Sequence, residues 1–269
     1  MAEFLHAELN SRVSSEAWAA AITPQWSAEQ PNHGFLLRAG DRVVGVYLAF
    51  YSERTIDGWP ERFCNLGAWC VLDAYRARGV RLLFALLAQR GFHFTDLSPS
   101  GNVVPLNIRL GFAALDTATA LVPNMPTPMW SRRVRVVSEP GEIEGALRGH
   151  DLQIYRDHAR TAAARHVVLL DGAATCYIIF RRVRRKNLPL FASILYVGNP
   201  ERFRSVAHHF FRYLLLHHGI PFTLAELRVV GNRPARSIMV TSRPKMFRSE
   251  SLRPDQIDYL YSELTCVPW

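Results

Sequence analysis

The residues best suited to chemistry lie in the stretch 70–84, where an apolar strand pattern passes through basic residues and Gly79 into a helix pattern. The helix pattern places Val80, Leu83, Phe84 and Leu87 on one face. The first N–H groups of a helix lack partners within it, and the helix dipole favours a negative charge there. The stretch therefore predicts an anion site. The alternative is an ordinary strand-to-helix connection whose glycine only relieves a tight turn.

Composition limits the class of partner. The chain has 269 residues, of which 49% are hydrophobic and 20% charged, as in folded globular proteins. Its formal net charge of +9 favours anionic partners such as phosphorylated cofactors, acidic lipids or nucleic acid. The acidic first residues do not fit a signal peptide, and we find no apolar run of the ~18 residues that a membrane span needs.

Cysteine and histidine spacing argues against a metal site. The four cysteines are widely spaced and form no CxxC pair, which indicates buried thiols in a reducing, cytoplasmic protein. The doublets His208-His209 and His217-His218 are too far apart to act as a ligand pair at helical spacing. No metal ligand is predicted.

Hydrophobic periodicity predicts an alternation of strands and helices in the first half. Gly40-Asp41 lies between two strand patterns and indicates a hairpin. Asn102 can cap a short helix that contains Pro105. The predicted elements are a helix over 3–21, strands over 34–39, 42–52 and 62–72, a helix to about Arg90, a strand over 92–97, the short helix, and a strand over 113–121.

The second half repeats this order after a proline-rich segment, 122–128, which predicts a linker between domains 1–124 and 130–269. Its predicted elements are strands over 134–138, 166–170, 174–183, 189–197 and 221–229 and helices over 143–161 and 201–218. When the second half is aligned with the first at one fixed offset, several positions carry identical residues, whereas about one identity is expected by chance. These matches favour an internal duplication over one larger mixed sheet. The aligned pairs are Val71/Val197, Arg76/Arg202, Arg78/Arg204, Val80/Val206 and Phe84/Phe210.

From Gly34 to Leu121 the chain resembles the GCN5-related N-acetyltransferase (GNAT) family. Three features carry the resemblance: the strand pair around Gly40-Asp41, the acyl-CoA motif read as Arg76-Ala77-Arg78-Gly79-Val80-Arg81 after Val71-Leu72, and Asn102 followed by Ile108-Arg109-Leu110-Gly111-Phe112. The resemblance implies an α+β fold with two GNAT-like domains, each a mixed, mostly antiparallel, splayed sheet flanked by helices. It also implies that acetyl-CoA or another acyl-CoA binds in the splay, through Val71, Leu72, Arg76–Arg81 and Asn102.

The sequence departs from the family pattern at two positions of the first half. Arg81 stands where the motif usually has Gly or Ala, so its side chain either crowds the pyrophosphate or adds charge to it. Asn107 stands at the catalytic position where many relatives carry a tyrosine acid, and an amide has no proton to give near neutral pH. In the second half, Ser205 replaces the motif glycine and Ala207 takes the third motif position, so this copy resembles a degenerate one.

Acyl transfer to an amine needs alignment, a base and stabilisation of an oxyanion. Glu61 and Asp73 flank the strand before the motif and are the candidate bases, with Asp96 and His93 on the next strand as further candidates. A solvated strand end is the alternative for each carboxylate, and a satisfied core or edge position for the histidine. Ser98, Ser100 and Asn102 are candidates for binding the pantetheine arm, or for plain turn and capping roles.

The sequence thus predicts an acyl-CoA-dependent N-acyltransferase with an amine acceptor. The alternatives are a non-catalytic GNAT-like binding module and an aminoacyl-tRNA-dependent transferase. The basic turn 181–186, ArgArgValArgArgLys, is a candidate dock for an acidic acceptor, tRNA or membrane headgroups, or else a solvated hairpin tip.

Overall fold

The computed structural model of the chain describes residues 1–26, 29–126, 134–185 and 188–269. Two compact units are formed, one from Met1–Leu115 with Arg243–Trp269 and one from Asp116–Ser242. Each unit combines a mostly antiparallel sheet with helices, which confirms the predicted α+β class. In the described ranges no helix has both the length and the hydropathy of a membrane span.

The helices and strands have the following bounds. The helices are α1 (Ala2–Glu8), α2 (Ser15–Ile22), α3 (Arg76–Leu87), α4 (Val104–Arg109), α5 (Pro140–Ala146), α6 (Gly149–His158), α7 (Pro200–His218), α8 (Leu227–Val230) and α9 (Glu263–Cys266). The strands are β1 (Gly34–Ala39), β2 (Arg42–Ile56), β3 (Trp59–Val71), β4 (His93–Asp96), β5 (Ala113–Ala114), β6 (Thr119–Pro123), β7 (Val134–Val137), β8 (Arg165–Asp171), β9 (Ala174–Arg185), β10 (Leu188–Val197), β11 (Phe222–Glu226), β12 (Ile238–Val240) and β13 (Met246–Arg248).

The sheet of the first unit has the order β1-β2-β3-β4-β13-β5. The hairpin of β1 and β2 turns at Gly40, whose φ of 60° is easily reached by glycine, and this confirms the predicted hairpin. β3 runs antiparallel to β2 and parallel to β4, and β13 lies antiparallel between β4 and β5. The strand between β4 and β5 therefore comes from the far end of the chain.

This sheet opens between β3 and β4. Their pairing begins at Phe63 with His93 and ends at Leu66 with Asp96, whereas β3 continues to Val71. A β-bulge lies just beyond this point, because Val46 pairs with Cys70 while Leu48 pairs with Gly67. β3 thus carries one extra residue there, and Ala68 takes a positive φ of 54°. The opening is the splay that the family resemblance implies.

Helix α3 packs against this sheet through a face that overlaps the predicted one at Leu83 and Leu87 but is turned away from Phe84. Leu82, Leu83 and Leu86 are buried in the core of the first unit, with Tyr47 and Leu66 among their neighbours. Phe84, expected on the buried face, is 50% exposed. Since residues on both sides of Leu83 are apolar, periodicity alone allowed two adjacent faces, and the packing selected the one centred on Leu83 and Leu86.

The sheet of the second unit has the order β12-β6-β11-β10-β9-β8-β7. Strands β8, β9, β10 and β11 are joined by two antiparallel pairings and one parallel pairing, as are β1, β2, β3 and β4. Helix α7 fills the core below them with Phe203, Phe210 and Leu214. The same order and direction of strands therefore occurs in both units.

The units do not follow the predicted boundaries of 1–124 and 130–269. Strand β6, which lies within the predicted first domain and ends inside the predicted linker, pairs with β11 and β12 of the second unit. The segment 243–269 lies in the predicted second domain but belongs to the first unit. A short strand pairs through its backbone, so its own sequence does not say which sheet it joins. Residues 127 and 128 of the predicted linker, and Lys186 of the basic turn, lie outside the described residues.

Several predicted elements are divided. The predicted helix over 3–21 is two helices, because Ser14 caps α2 by accepting a hydrogen bond from the Ala17 N–H. The helix over 143–161 is α5 and α6, separated near Gly149, whose φ is 54°. The strand over 113–121 is β5 and β6, and the strand over 221–229 becomes helical at Leu227. Asn102 caps no helix, since α4 begins after Val103 without a side-chain cap.

Candidate functional site

The predicted anion site is the N-terminus of α3. A 3-10 turn, Asp73–Tyr75, leads into the helix, and Tyr75 at the cap position gives no side-chain hydrogen bond to the first N–H groups. The side chains of Arg76, Arg78 and Arg81 are exposed around this end. The absence of a side-chain cap, the positive end of the helix dipole and the guanidinium groups, of which that of Arg76 pairs with Asp73, are features that favour a phosphate here.

Gly79 brings this helix end close to the sheet. It lies inside α3 with ordinary helical φ, so it does not relieve a tight turn. A Cβ added to it would stand 3.0 Å from the Cγ2 atom of Val71, which is tighter than most side-chain contacts. The glycine therefore sets a close approach of α3 to the end of β3, next to Val71 and Leu72.

The corresponding helix of the second unit is built differently. Asn199 caps α7, because its Oδ1 atom accepts a hydrogen bond of 2.8 Å from the Arg202 N–H. The Arg202 side chain forms an ion pair with Asp171. The side-chain cap engages a backbone N–H that a phosphate would need, whereas α3 has no such cap, so the start of α3 is the better candidate for an anion site.

A cavity of about 170 Å³ lies where β3 and β4 separate. Its lining comes from the first unit alone and includes Tyr47 of β2, Gly67, Ala68 and Trp69 of the bulge, Asp96 and Ser98 after β4, and Trp269 of the C-terminal segment. Backbone groups of the bulge have no strand partner on the β4 side beyond Leu66. An extended ligand can bind to them as a further strand would.

Aromatic rings form much of this lining. The rings of Tyr47 and Trp69 are stacked, with centroids 4.7 Å apart and planes 7° from parallel. Trp269 makes an edge contact with the ring of Trp18 at 5.5 Å. The Nε1 atom of Trp69 is buried and finds no hydrogen-bond acceptor in the part of the chain that the structure describes. Unsatisfied buried donors are rare in folded proteins, and a bound water or ligand is one way in which such a group is satisfied.

Asp96 is the buried carboxyl group of the cavity, with 4% of its surface exposed. Burial raises the pKa of Asp96 to about 6, and hydrogen bonds from the Asn107 side chain and the Ser98 backbone oppose that rise. The Nδ2 atom of Asn107 donates to Asp96 Oδ2 at 2.8 Å. A carboxyl group with this pKa is mostly ionised near neutral pH and can still take up a proton.

A second buried carboxyl group, Glu263, lies next to the lining residue Ser98. The Ser98 hydroxyl donates to Glu263 Oε1 at 2.6 Å, across 165 positions of sequence. The Glu263 N–H donates in turn to Asn65 Oδ1 at 3.3 Å. Burial and the charges of Asp96 and Glu263 hold the pKa of Tyr47 well above its usual range, so its hydroxyl stays protonated.

The predicted site residues divide into those near the cavity or helix end and those away from both. Val71, Leu72 and the segment Arg76–Arg81 lie together at the end of β3 and the start of α3. Asp73 is 86% exposed there and pairs with Arg76 at 2.9 Å. Asn102 is exposed, and Asn107 is fully buried against Asp96.

Glu61 lies near the opposite end of β3. Its Oε2 atom is 2.8 Å from His93 Nε2, and His93 Nδ1 is 2.8 Å from Ser249 Oγ. At a rise of ~3.3 Å per residue, Glu61 is about 20 Å along the strand from Gly67. The structure therefore does not bring Glu61 or His93 to the cavity.

Four residues in or next to the cavity are not among the predicted site residues: Tyr47, Trp69, Glu263 and Trp269. Tyr47 and Trp69 sit within strands and read as ordinary core positions. Trp269 lines the cavity, and Glu263 contacts the lining residue Ser98, only because the C-terminal segment returns to the first unit. The apolar residues of 257–267 were a signal in the sequence that this segment packs against a core, but they do not show which one.

Comparison with known proteins places the fold. No family model and no curated protein matches the sequence. Solved structures do match: a GCN5-related N-acetyltransferase from Anabaena variabilis superposes with a TM-score of 0.59 at 13% identity, over 92% of this chain and 69% of that one. A conserved protein of unknown function from Enterococcus faecalis gives 0.56 at 13% identity, over 91% and 68%. N-myristoyltransferase from Saccharomyces cerevisiae, solved with myristoyl-CoA, gives 0.50 at 10% identity, over 94% and 76%. The chain has the fold of the GCN5-related N-acetyltransferases, as the resemblance implied.

Proposed function

We propose that the protein is an acyl-CoA-dependent N-acyltransferase that transfers an acetyl or other acyl group to an amine. The observation that carries the proposal is the cavity at the opening of the sheet, which holds a buried carboxyl group and is lined by β3, the strand that leads to the basic end of α3. Acyl-CoA joins a phosphorylated end to a long amide-containing arm with a thioester at its tip. The first unit offers a group suited to each of these parts.

The donor would bind along the opened sheet. Its phosphates would lie at the N-terminus of α3, within reach of Arg76, Arg78 and Arg81. Because the side chain of Arg81 is exposed, it adds charge to this site and does not fill the space near Gly79. The amides of the pantetheine arm would pair with backbone groups of β3 beyond Leu66, and the thioester would reach the cavity.

The residues of the cavity would then carry out the proton transfer. Asp96 would accept the proton that the amine releases as it attacks the thioester. Asn107, which cannot act as an acid, would hold the Asp96 carboxylate in place through its 2.8 Å hydrogen bond. The Tyr47 hydroxyl, kept protonated, is a hydrogen-bond donor for the charge that develops on oxygen or sulfur.

The alternatives rest on fewer features. A non-catalytic binding module would explain Arg81 and Asn107 but would leave the raised pKa of the buried Asp96 without a role. Transfer from aminoacyl-tRNA would need a large basic surface, and no feature of the described residues favours it over acyl-CoA. Dependence on acetyl-CoA in particular, a tandem origin of the two units and a cytoplasmic location remain predictions of the sequence.

Charge reversal at the end of α3 tests the donor site. Arg78→Glu should weaken the binding of acetyl-CoA about tenfold or more, since it replaces an attraction to phosphate by a repulsion. Arg90→Glu, just beyond the other end of the same helix, is the matched control and should leave binding unchanged. Calorimetry and thermal shift with acetyl-CoA, longer acyl-CoAs and free CoA measure the effect. Absence of binding by all of these ligands would refute the proposed function.

A further inference from the structure

We propose that the second unit binds the surface of a membrane that contains anionic lipids, through a group of basic residues at the C-terminal end of α7. This basic cluster comprises Arg165 of β8, Arg182 and Arg184 of β9, and His217 and His218 of α7. The inference concerns a different unit from the one that holds the candidate donor site, and it does not depend on the proposed function.

The net charge of the chain lies entirely in the second unit. Of the 32 Lys and Arg residues, 18 lie within 116–242, together with 9 of the 23 Asp and Glu residues. The second unit therefore carries the whole formal charge of +9, whereas the first unit, with 14 charges of each sign, is neutral. A charge confined to one unit in this way directs that unit toward an anionic partner.

The strands place the basic cluster on one face of the sheet. Phe180 of β9 faces α7, since its ring contacts the ring of His218 with centroids 5.6 Å apart. Side chains two residues apart on a strand point to the same face, so Arg182 and Arg184 follow Phe180 past the end of the helix. Arg165 pairs with Phe180 across the two strands and therefore lies on that face as well.

Contacts within the basic cluster show that its positive charges lie close together. The guanidinium group of Arg182 donates to the carbonyl oxygen of His218, the last residue of α7, at 2.6 Å. Burial lowers the pKa of His218, and the positive charges of Arg182, Arg165 and His217 lower it further. The side chains of Arg165, Arg182 and Arg184 are exposed. The basic cluster thus presents three guanidinium groups to the solvent at one end of the unit.

Several acidic residues of the second unit are engaged away from this end. Glu142 and Glu144 of α5 each form an ion pair with an arginine. Asp171, which pairs with Arg202, ends β8 about 20 Å from Arg165, at a rise of ~3.3 Å per residue. These ion pairs compensate positive charge elsewhere in the unit and not at the basic cluster.

Exposed apolar side chains near the basic cluster favour a lipid surface over a nucleic acid. Leu188, at the hairpin of β9 and β10, is 54% exposed, and Leu216, in the last turn of α7, is 51% exposed. Apolar groups among basic ones suit the boundary between lipid headgroups and acyl chains. The ring of Tyr213, on which a base could otherwise stack, is covered by the ring of His217 at a centroid distance of 4.8 Å.

Vesicle binding by the whole chain tests the inference. Vesicles of phosphatidylcholine alone are compared with vesicles in which one third of the lipid is phosphatidylglycerol, and bound protein is measured by sedimentation. We expect binding to the anionic vesicles alone. Binding should be lost when the salt is raised to about 1 M, because the screening length then falls from ~8 Å to ~3 Å.

Two double variants with the same loss of charge locate the surface. Arg165→Gln combined with Arg184→Gln should weaken vesicle binding about 25-fold, since each arginine near an anionic surface strengthens binding about fivefold. Arg135→Gln combined with Arg156→Gln is the matched control, because both arginines are already paired with glutamates, and it should have little effect. If the first variant fails to fold by circular dichroism, Arg184→Gln alone should weaken binding about fivefold.

A leucine variant separates contact with lipid from attraction of charge alone. Leu188→Ser leaves the charge unchanged and should weaken binding to the anionic vesicles about threefold or more, because an exposed apolar group no longer enters the headgroup region.

Three outcomes would overturn the inference. The first is absence of binding to the anionic vesicles, or equal binding to both kinds of vesicle. The second is equal binding by the two double variants, which would place the contact away from the basic cluster. The third is release of the protein from the vesicles by unfractionated RNA added at the same phosphate concentration, which would assign the basic cluster to nucleic acid.

Discussion

Replacement of Asp96 by asparagine should make the protein more stable at pH 8 and less active. The pKa of Asp96 rises on folding from 3.8 to about 6 because the carboxyl group is buried. Stability from such a group is fully present below the unfolded pKa and is lost as the pH rises through about 6. Asparagine is neutral at every pH, and its Oδ1 atom can still accept the hydrogen bond from Asn107.

The magnitude follows from the shift. A rise of about two pK units at ~1.36 kcal/mol each makes the ionised Asp96 cost about 3 kcal/mol in the native state. At pH 8 Asp96→Asn should therefore exceed the wild type by up to about 3 kcal/mol in the free energy of unfolding. At pH 4, where the native wild type carries a protonated Asp96, the two proteins should be nearly equal.

Urea unfolding between pH 4 and pH 8 measures this difference. Tryptophan fluorescence reports mainly on the first unit, because five of the six tryptophans lie in it: Trp18, Trp26, Trp59, Trp69 and Trp269. Asp41→Asn, at the exposed tip of the β1–β2 hairpin, is the matched control and should show no such pH dependence. A variant that is less stable than wild type at pH 8, or a difference that does not change with pH, would refute the account of Asp96.

Activity should change in the opposite direction. Loss of a proton acceptor in the cavity typically lowers kcat about 100-fold or more, while acetyl-CoA should still bind because α3 is unchanged. When a functional group is retained although it destabilises the protein, its replacement is expected to raise the free energy of unfolding and to lower kcat. Equal activity of Asp96→Asn and wild type would mean that another group accepts the proton.

Two further predictions test the scaffold around the site. Leu83→Ala should lower the free energy of unfolding by about 2–5 kcal/mol because Leu83 is fully buried. Phe84→Ala, at the adjacent half-exposed position, should lower it by less. Equal losses would mean that a different face of α3 packs against the sheet. Gly34→Ala should lower the free energy of unfolding by well over the ~1–2 kcal/mol that a non-glycine residue costs at positive φ, since its Cβ would overlap the Tyr47 backbone. Gly40→Ala, whose Cβ meets no atom, should cost only that amount. Urea unfolding measures both, and a mild effect of Gly34→Ala would contradict the register of β1 on β2.

Features coded by neighbouring residues were predictable. The hairpin at Gly40-Asp41 needs only two strand patterns and a glycine that reaches a positive φ. The basic helix end at Arg76 follows a strand in the sequence and does so in the structure. The family resemblance extended these local features to an opened sheet, which the pairing of β3 and β4 confirms.

The choice among candidate acids was not predictable, because it depends on burial. Glu61, Asp73 and Asp96 all stand near strand ends in the sequence. Only the fold shows that Asp73 is exposed, that Glu61 is held by His93, and that Asp96 is enclosed at the cavity. A pKa reflects the desolvation and the hydrogen bonds that the whole unit imposes on a group.

By itself, then, the sequence determined most of the local elements, the basic start of α3 and, through resemblance, the class of fold. The tertiary structure decided which chain segments complete each sheet and which side chains enclose the cavity. β13, Glu263 and Trp269 join the first unit although they lie at the far end of the chain. The physical reason is that strands pair through backbone groups that every residue carries, so a distant partner leaves little trace in the local pattern.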